Sequence, residues 1–270
     1  MNDNLVFLGT GGGRYNTATQ HRQTGGIIYV FDNVQMHIDP GPGAIVYLNK
    51  YHIDRFKTKW VVVTHNHTDH NNDAPIIIES LHKSLKNKKG TLITTEEYLR
   101  DLPRYYKDLL EEEISVSGGE VLVLQSERRD ISVRTKPIVH GQTQGFGFIL
   151  EQAEKRNGNS LYSLAYTSDT EIHSKYAVYY KGVDILVANV LRPNDRHCPR
   201  HATIEELIPA VKKILPKCLI ITHFGGYMDS SWSGRNLVPQ QVAKIQDALG
   251  NKTRVIGAKD GMKLNLEDLI

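Results

Sequence analysis

The chain has 270 residues, 40% hydrophobic and 23% charged, with 33 Lys and Arg against 30 Asp and Glu for a net charge of +3 at neutral pH. A balance this even excludes nucleic-acid binding driven by bulk charge alone, and two cysteines exclude a disulfide scaffold. No apolar run is long enough to cross a bilayer, so no membrane partner is expected, and the length suits one domain over residues 1–270.

Met1 to Asn4 leads straight into a strand pattern without the basic and apolar regions of a signal peptide, so a cytoplasmic location is expected. Strands are expected at residues 5–8, 26–31, 35–38, 60–64, 90–94, 121–124, 131–139 and 146–150. Further strands at 163–167, 185–189, 218–222 and 253–256 alternate with helix patterns at 203–214 and 239–248, and another helix pattern covers 75–85. The Gly-rich segment Gly9 to Gly13 is not a dinucleotide fingerprint, because Arg14 occupies the third required glycine position. It reads as a tight turn that brings backbone close to the floor of a site.

The strongest chemical signal is Thr64-His65-Asn66-His67-Thr68-Asp69-His70, entered from the apolar run Trp60-Val61-Val62-Val63. Three imidazoles and a carboxylate in one loop are ligands for zinc and related first-row ions, and a packed core gains nothing from crowding them. His65 and His67, two apart, can face one side of an extended segment, while Asp69 and His70 can turn toward a second ion. His140, Asp169 and His223 each follow an extended apolar-rich stretch, where a strand-built scaffold presents site residues.

These elements, in the order Gly9 to Gly13, Ile38-Asp39-Pro40-Gly41, the H-x-H-x-D-H loop, His140, Asp169 and His223, resemble the metallo-β-lactamase fold superfamily. The resemblance implies an α/β fold, a four-layer αβ/βα sandwich of two mixed β-sheets flanked by helices. It implies two divalent metal ions, best suited to zinc, with manganese or iron as alternatives. His65, His67 and His140 would hold the first and Asp69, His70 and His223 the second, with Asp169 bridging both and Asp39 orienting the ligand loop.

His201-Ala202-Thr203, just before a helix pattern, resembles the ribonuclease Z branch, which includes small phosphodiesterases. There the histidine is a general acid or phosphate contact, so Asp69 and His201 are the expected catalytic residues. The competing reading is a helix start, in which Thr203 supplies the cap. Arg192, Arg196 and Arg200 precede His201 with forked donors suited to phosphate. The basic run Lys83, Lys86, Lys88 and Lys89, followed by Arg100, Arg104 and Lys107, reads first as a solvated face.

Only 28 residues separate His140 from Asp169 (169 − 140 − 1). The long arm that clamps transfer RNA in bacterial ribonuclease Z has no room there. The expected activity is hydrolysis of small, cyclic or single-stranded phosphodiesters. Ribonuclease Z-like RNA processing and hydrolysis of thioesters or lactones are the alternatives. RNA as a partner and a homodimer stay open. Penicillin-cleaving relatives typically carry Cys where Asp169 stands, and the full Asp and His complement argues against a non-catalytic scaffold.

Overall fold

The computed structural model describes residues 3–84, 87–154, 160–194, 196–229 and 236–270. Contacts divide the chain into two compact units, the first comprising Met1–Ser117, Thr143–Gly145 and Lys259–Glu267, and the second Gly118–Gln142, Phe146–Ala258 and Asp268–Ile270. In chain order the strands are β1 (Asn4–Phe7), β2 (Ile27–Phe31), β3 (Val34–Ile38), β4 (Thr58–Val63), β5 (Thr91–Thr94), β6 (Glu112–Ser115) and β7 (Val121–Gln125). There follow β8 (Arg129–Pro137), β9 (Phe146–Glu154), β10 (Ser160–Tyr166), β11 (Ile185–Asn189), β12 (Cys218–Thr222), β13 (Arg254–Gly257) and β14 (Lys263–Asn265).

The first unit holds a seven-stranded sheet in the order β14-β1-β2-β3-β4-β5-β6. Its strands are antiparallel from β14 to β3 and parallel from β3 to β6. Residues Trp60 to Val63 of β4 are all buried, as an interior parallel strand covered on both faces requires. Val61, Val63 and Leu92 pack with Ala74, Ile77 and Ile78 from the helix Ala74–Ser80. At about 1.5–3 kcal/mol for each fully buried large apolar side chain, this cluster fixes the strand whose end carries the histidine loop.

The second unit repeats the plan with the order β13-β12-β11-β10-β9-β8-β7. Here β10 to β13 are parallel and β7 to β10 antiparallel. Every residue of β11 and β12 is buried. Leu186, Ala188, Leu219 and Ile221 share a core with Ile204, Leu207, Val211 and Ile214, which recur on one face of the helix Ile204–Ile214. Ile245 and Leu249 of the helix Val238–Leu249 complete it.

Two strands and several helices lie outside the sequence expectation. The edge strand β6 reads Glu-Glu-Ile-Ser and β14 has three residues, so neither shows an alternation. The helices Gly13–Thr19, Ala44–Lys50, Glu96–Asp101, Arg104–Leu109 and Tyr176–Tyr179 have at most seven residues, too few to display a 3.6-residue period. The helix expected over 75–85 stops at Ser80, and Leu85 lies outside the described residues.

His37 on β3 is fully buried, with Nε2 2.9 Å from the Gly25 carbonyl. Burial lowers its pKa from 6.5 to about 4, partly countered by the Gly25 bond and by Asp39. The unfolded chain protonates this ring near 6.5 and the folded chain near 4, so acid favours unfolding. The contribution is fully present above pH 6.5 and falls away toward pH 4, by about 3 kcal/mol. Denaturant unfolding of the parent and of His37→Gln across pH 4–7 should give curves whose difference contains this limb; parallel curves would show that His37 titrates normally.

Candidate metal centre

In the first unit the ligand loop is built around Asp39. Where β3 ends, Asp39 takes a left-handed φ of 50° and is buried. Its Oδ1 accepts from the Thr64 backbone N–H at 2.7 Å, and its Oδ2 accepts from Thr64 Oγ1 at 2.8 Å and His70 Nδ1 at 2.8 Å. One carboxylate therefore secures both the start and the end of the histidine loop, and leaves His70 Nε2 as its ligand nitrogen. That nitrogen is 3.7 Å from Asp69 Oδ2, which also accepts from the Gly13 backbone N–H at 2.8 Å. The Gly-rich turn thus delivers a backbone donor to an expected ligand. Gly41 is required for a different reason: a Cβ there would meet the Asp69 carbonyl oxygen at 2.0 Å.

His65 Nε2 and His67 Nδ1 approach to 3.1 Å. Two imidazole nitrogens held tetrahedrally at zinc distances are separated by about 3.3 Å, so this pair suits a shared ion. His65 is buried, with Nδ1 3.3 Å from Thr64 Oγ1, while His67 is exposed and has Nε2 3.3 Å from Thr143 Oγ1.

In the second unit the strands β8, β10 and β12 lead to His140, Asp169 and His223. The two Asp169 oxygens face different imidazoles: Oδ1 is 3.3 Å from His223 Nε2, and Oδ2 is 3.4 Å from His201 Nδ1. Asn189, closing β11, donates from Nδ2 to Asp169 Oδ1 at 2.8 Å and reaches Tyr166 Oη at 3.1 Å. His140 Nδ1 faces the Arg200 carbonyl at 2.6 Å, which leaves Nε2 as its ligand nitrogen. His140, Asp169 and His201 each offer a ligand atom, and these lie within 4.8 Å of one another. Ser168 and His223 share with Asp39 a left-handed backbone, at φ 55° and 62°. For a residue with a Cβ this costs roughly 1–2 kcal/mol, and it turns the chain sharply out of each strand.

His201 is not a cap. Thr203 accepts from the Glu206 backbone N–H while Glu206 reaches back to Thr203, a full capping box. Arg192 and Arg196 lie over the Tyr227 ring, at 5.0 and 5.2 Å from its centroid. Arg200 is separate from them, its guanidinium against Gly141. His197 pairs with Glu206 Oε1 at 2.8 Å, and Asp195 in the same loop lies outside the described residues. Among the expected basic run, Lys83 and Lys89 gather on Phe56, Arg100 pairs with Asp101 and Arg104 with Asp108. Lys86 lies outside the described residues.

Several contributors escaped the sequence reading. Asn189 was signalled only as a polar residue closing an otherwise apolar strand. Gly13 N–H and the Arg200 carbonyl act through the backbone, which carries no residue-type signal.

The histidine-rich loop of the first unit and the Asp-His set of the second each offer neutral imidazoles and carboxylates, the donors of a divalent-metal site. The model of the β-lactamase superfamily domain matches residues 35–224. An uncharacterised protein of Methanocaldococcus jannaschii, MJ1374, is 30% identical over 96% of this chain and 97% of its own. Ribonuclease Z of Sulfolobus acidocaldarius is 22% identical over 82% of this chain and 88% of its own. Among solved structures, the metallo-β-lactamase fold protein YhfI from Bacillus subtilis superposes with a TM-score of 0.74 at 16% identity, covering 98% of this chain and 99% of YhfI. The chain belongs to the β-lactamase superfamily, with the metallo-β-lactamase fold, and is a metal-dependent hydrolase of that class.

Asp39→Ala frees both ends of the histidine loop, and Asn189→Ala removes the donor that fixes Asp169. Each should weaken metal binding about 10–100-fold, measured by competition with a chromogenic chelator. Affinity equal to the parent in either variant would show that the corresponding contact does not orient a ligand.

Proposed function

We propose that this chain, acting as a single domain, is a phosphodiesterase that holds two divalent ions, best suited to zinc, with manganese or iron as alternatives. His65, His67 and His140 hold one ion, Asp69, His70 and His223 the other, and Asp169 serves both. The observation that carries this reading is the place of the Asp169 carboxylate, whose Oδ1 is 3.3 Å from His223 Nε2 and which offers a ligand atom within 4.8 Å of one from His140, so it stands beside an expected ligand of each ion. When bound, the two ions lower the pKa of water and draw charge from a phosphoryl oxygen.

The chain's own residues do the rest. Asp39 and Asn189 hold His70 and Asp169 in place, so ligand geometry is set before substrate arrives. Asp69, held by Gly13 N–H, serves the reaction as a ligand carboxylate. His201 has Nδ1 toward Asp169, which leaves Nε2 to give a proton to the departing oxygen. Arg192, Arg196 and Arg200 supply donors for substrate oxygens.

Small, cyclic or single-stranded diesters fit best. The interval from His140 to Asp169 is taken up by the paired strands β9 and β10, with residues 155–159 outside the description, and the net charge is only +3. Similarity to ribonuclease Z keeps RNA 3′ processing as the alternative. Action in the cytoplasm belongs to the same reading, and a homodimer is compatible with it. A second reading of His201 also has an observation behind it: its ligand atom lies within 4.8 Å of those of His140 and Asp169, so it could bind metal itself.

Elemental analysis of loaded, desalted protein should give two ions per chain, and His67→Ala should lose metal and activity together. His201→Ala should retain metal and lose about two to four orders of magnitude in rate on poor leaving groups, with a smaller loss on bis-p-nitrophenyl phosphate, whose phenolate departs unprotonated. Loss of metal from His201→Ala would assign it as a ligand. Comparison of precursor transfer RNA with a cyclic nucleotide should favour the small substrate; accurate processing of the precursor by the chain alone would reverse the assignment.

A further inference from the structure

Tyr227 is 53% exposed, in the short turn Gly226–Met228 that follows His223. Backbone bonds stitch its surroundings to the expected catalytic histidine. Leu191 N–H donates to the Ala202 carbonyl at 3.2 Å, Gly225 N–H to the Leu191 carbonyl at 2.9 Å, and Ile204 N–H to the Arg192 carbonyl at 3.3 Å. Arg192 therefore runs between the segment that carries His201 and the segment that carries His223 and Tyr227.

Two guanidinium groups converge on this one ring, at 5.0 and 5.2 Å. A cation over a ring face keeps its in-plane N–H donors available, and among the described residues one contact draws on them, Arg192 to the His197 carbonyl at 3.4 Å. Among the described residues no carboxylate pairs with either arginine. Two guanidiniums gathered on one ring repel each other, and a multiply charged oxyanion meets both the charge and the forked donors. The exposed ring edge beside them suits the sugar or base of the same molecule.

We propose that Tyr227, Arg192 and Arg196 form a subsite for a phosphate that is not cleaved, so that the substrate is a nucleotide bearing a phosphate beyond the scissile one. This rests on the phosphodiesterase reading. The ring positions the two guanidiniums, and these take the oxygens of the second phosphate.

The test is equilibrium binding of a phosphorothioate dinucleotide, with and without a 5′-terminal phosphate, to the zinc-loaded full chain. The terminal phosphate should tighten binding about tenfold or more. Arg196→Glu and Tyr227→Ala should abolish that gain, while Tyr227→Phe should keep it, and circular dichroism checks that each variant is folded. No gain in the parent, or an undiminished gain in both Arg196→Glu and Tyr227→Ala, overturns the subsite. Turnover of the oxygen diester is scored separately: its absence would defeat the phosphodiesterase reading while leaving the binding comparison intact.

Discussion

The Asp39 carboxylate is the constraint on which the rest of the ligand loop depends. It leaves β3 beside the parallel neighbour β4, so its oxygens meet Thr64 at the first residue beyond that strand and His70 six residues further on. A loop with three imidazoles would otherwise sample many arrangements, and fixing it at assembly would cost conformational entropy with each ion bound. The buried carboxylate takes up that cost during folding. Asp39 is tied to β4 by its backbone N–H, which donates to the Val62 carbonyl at 2.8 Å, and Val61 and Val63 on either side are packed in the hydrophobic cluster, so packing in the sheet supports the ligand geometry.

The second unit reaches a comparable result with a neutral partner. Asn189 donates to Asp169 from the end of β11, the parallel neighbour of β10. The choice of amide follows from charge. Asp39 faces an imidazole and backbone and hydroxyl donors, so an acceptor is needed; Asp169 is already anionic and needs a donor that adds no competing charge. In both sheets the supporting residue and the ligand stand at the carboxyl ends of neighbouring parallel strands, the edge where open α/β sheets commonly present their chemistry.

How legible this was varies by residue. His65, His67, Asp69 and His70 stood out because the apolar run Trp60 to Val63 stops just before them, and His140, Asp169 and His223 each follow an extended, apolar-rich stretch. The long apolar strands β11 and β12 were readable to the residue, whereas β6 and β14 were not, because edge strands this short or polar leave no pattern. Hydrogen bonds from Gly13 and Arg200 were invisible, since any residue type carries the same backbone groups. The meeting of Arg196 with Tyr227 depends on the turn after β12, which no local pattern in the arginine loop encodes.

The left-handed residues at the strand exits also bear on how the sequence can vary. Asp39, Ser168 and His223 occupy backbone conformations that a β-branched side chain resists and that glycine or asparagine accepts. Asp39 and His223 are tied to the chemistry by their side chains, but the Ser168 side chain is not an expected ligand. Position 168 should therefore tolerate glycine and asparagine and reject valine and isoleucine, although a residue buried this completely beside β10 would ordinarily favour aliphatic replacements. The rule for substitution at that point is set by a torsion angle, against the preference that burial alone would impose.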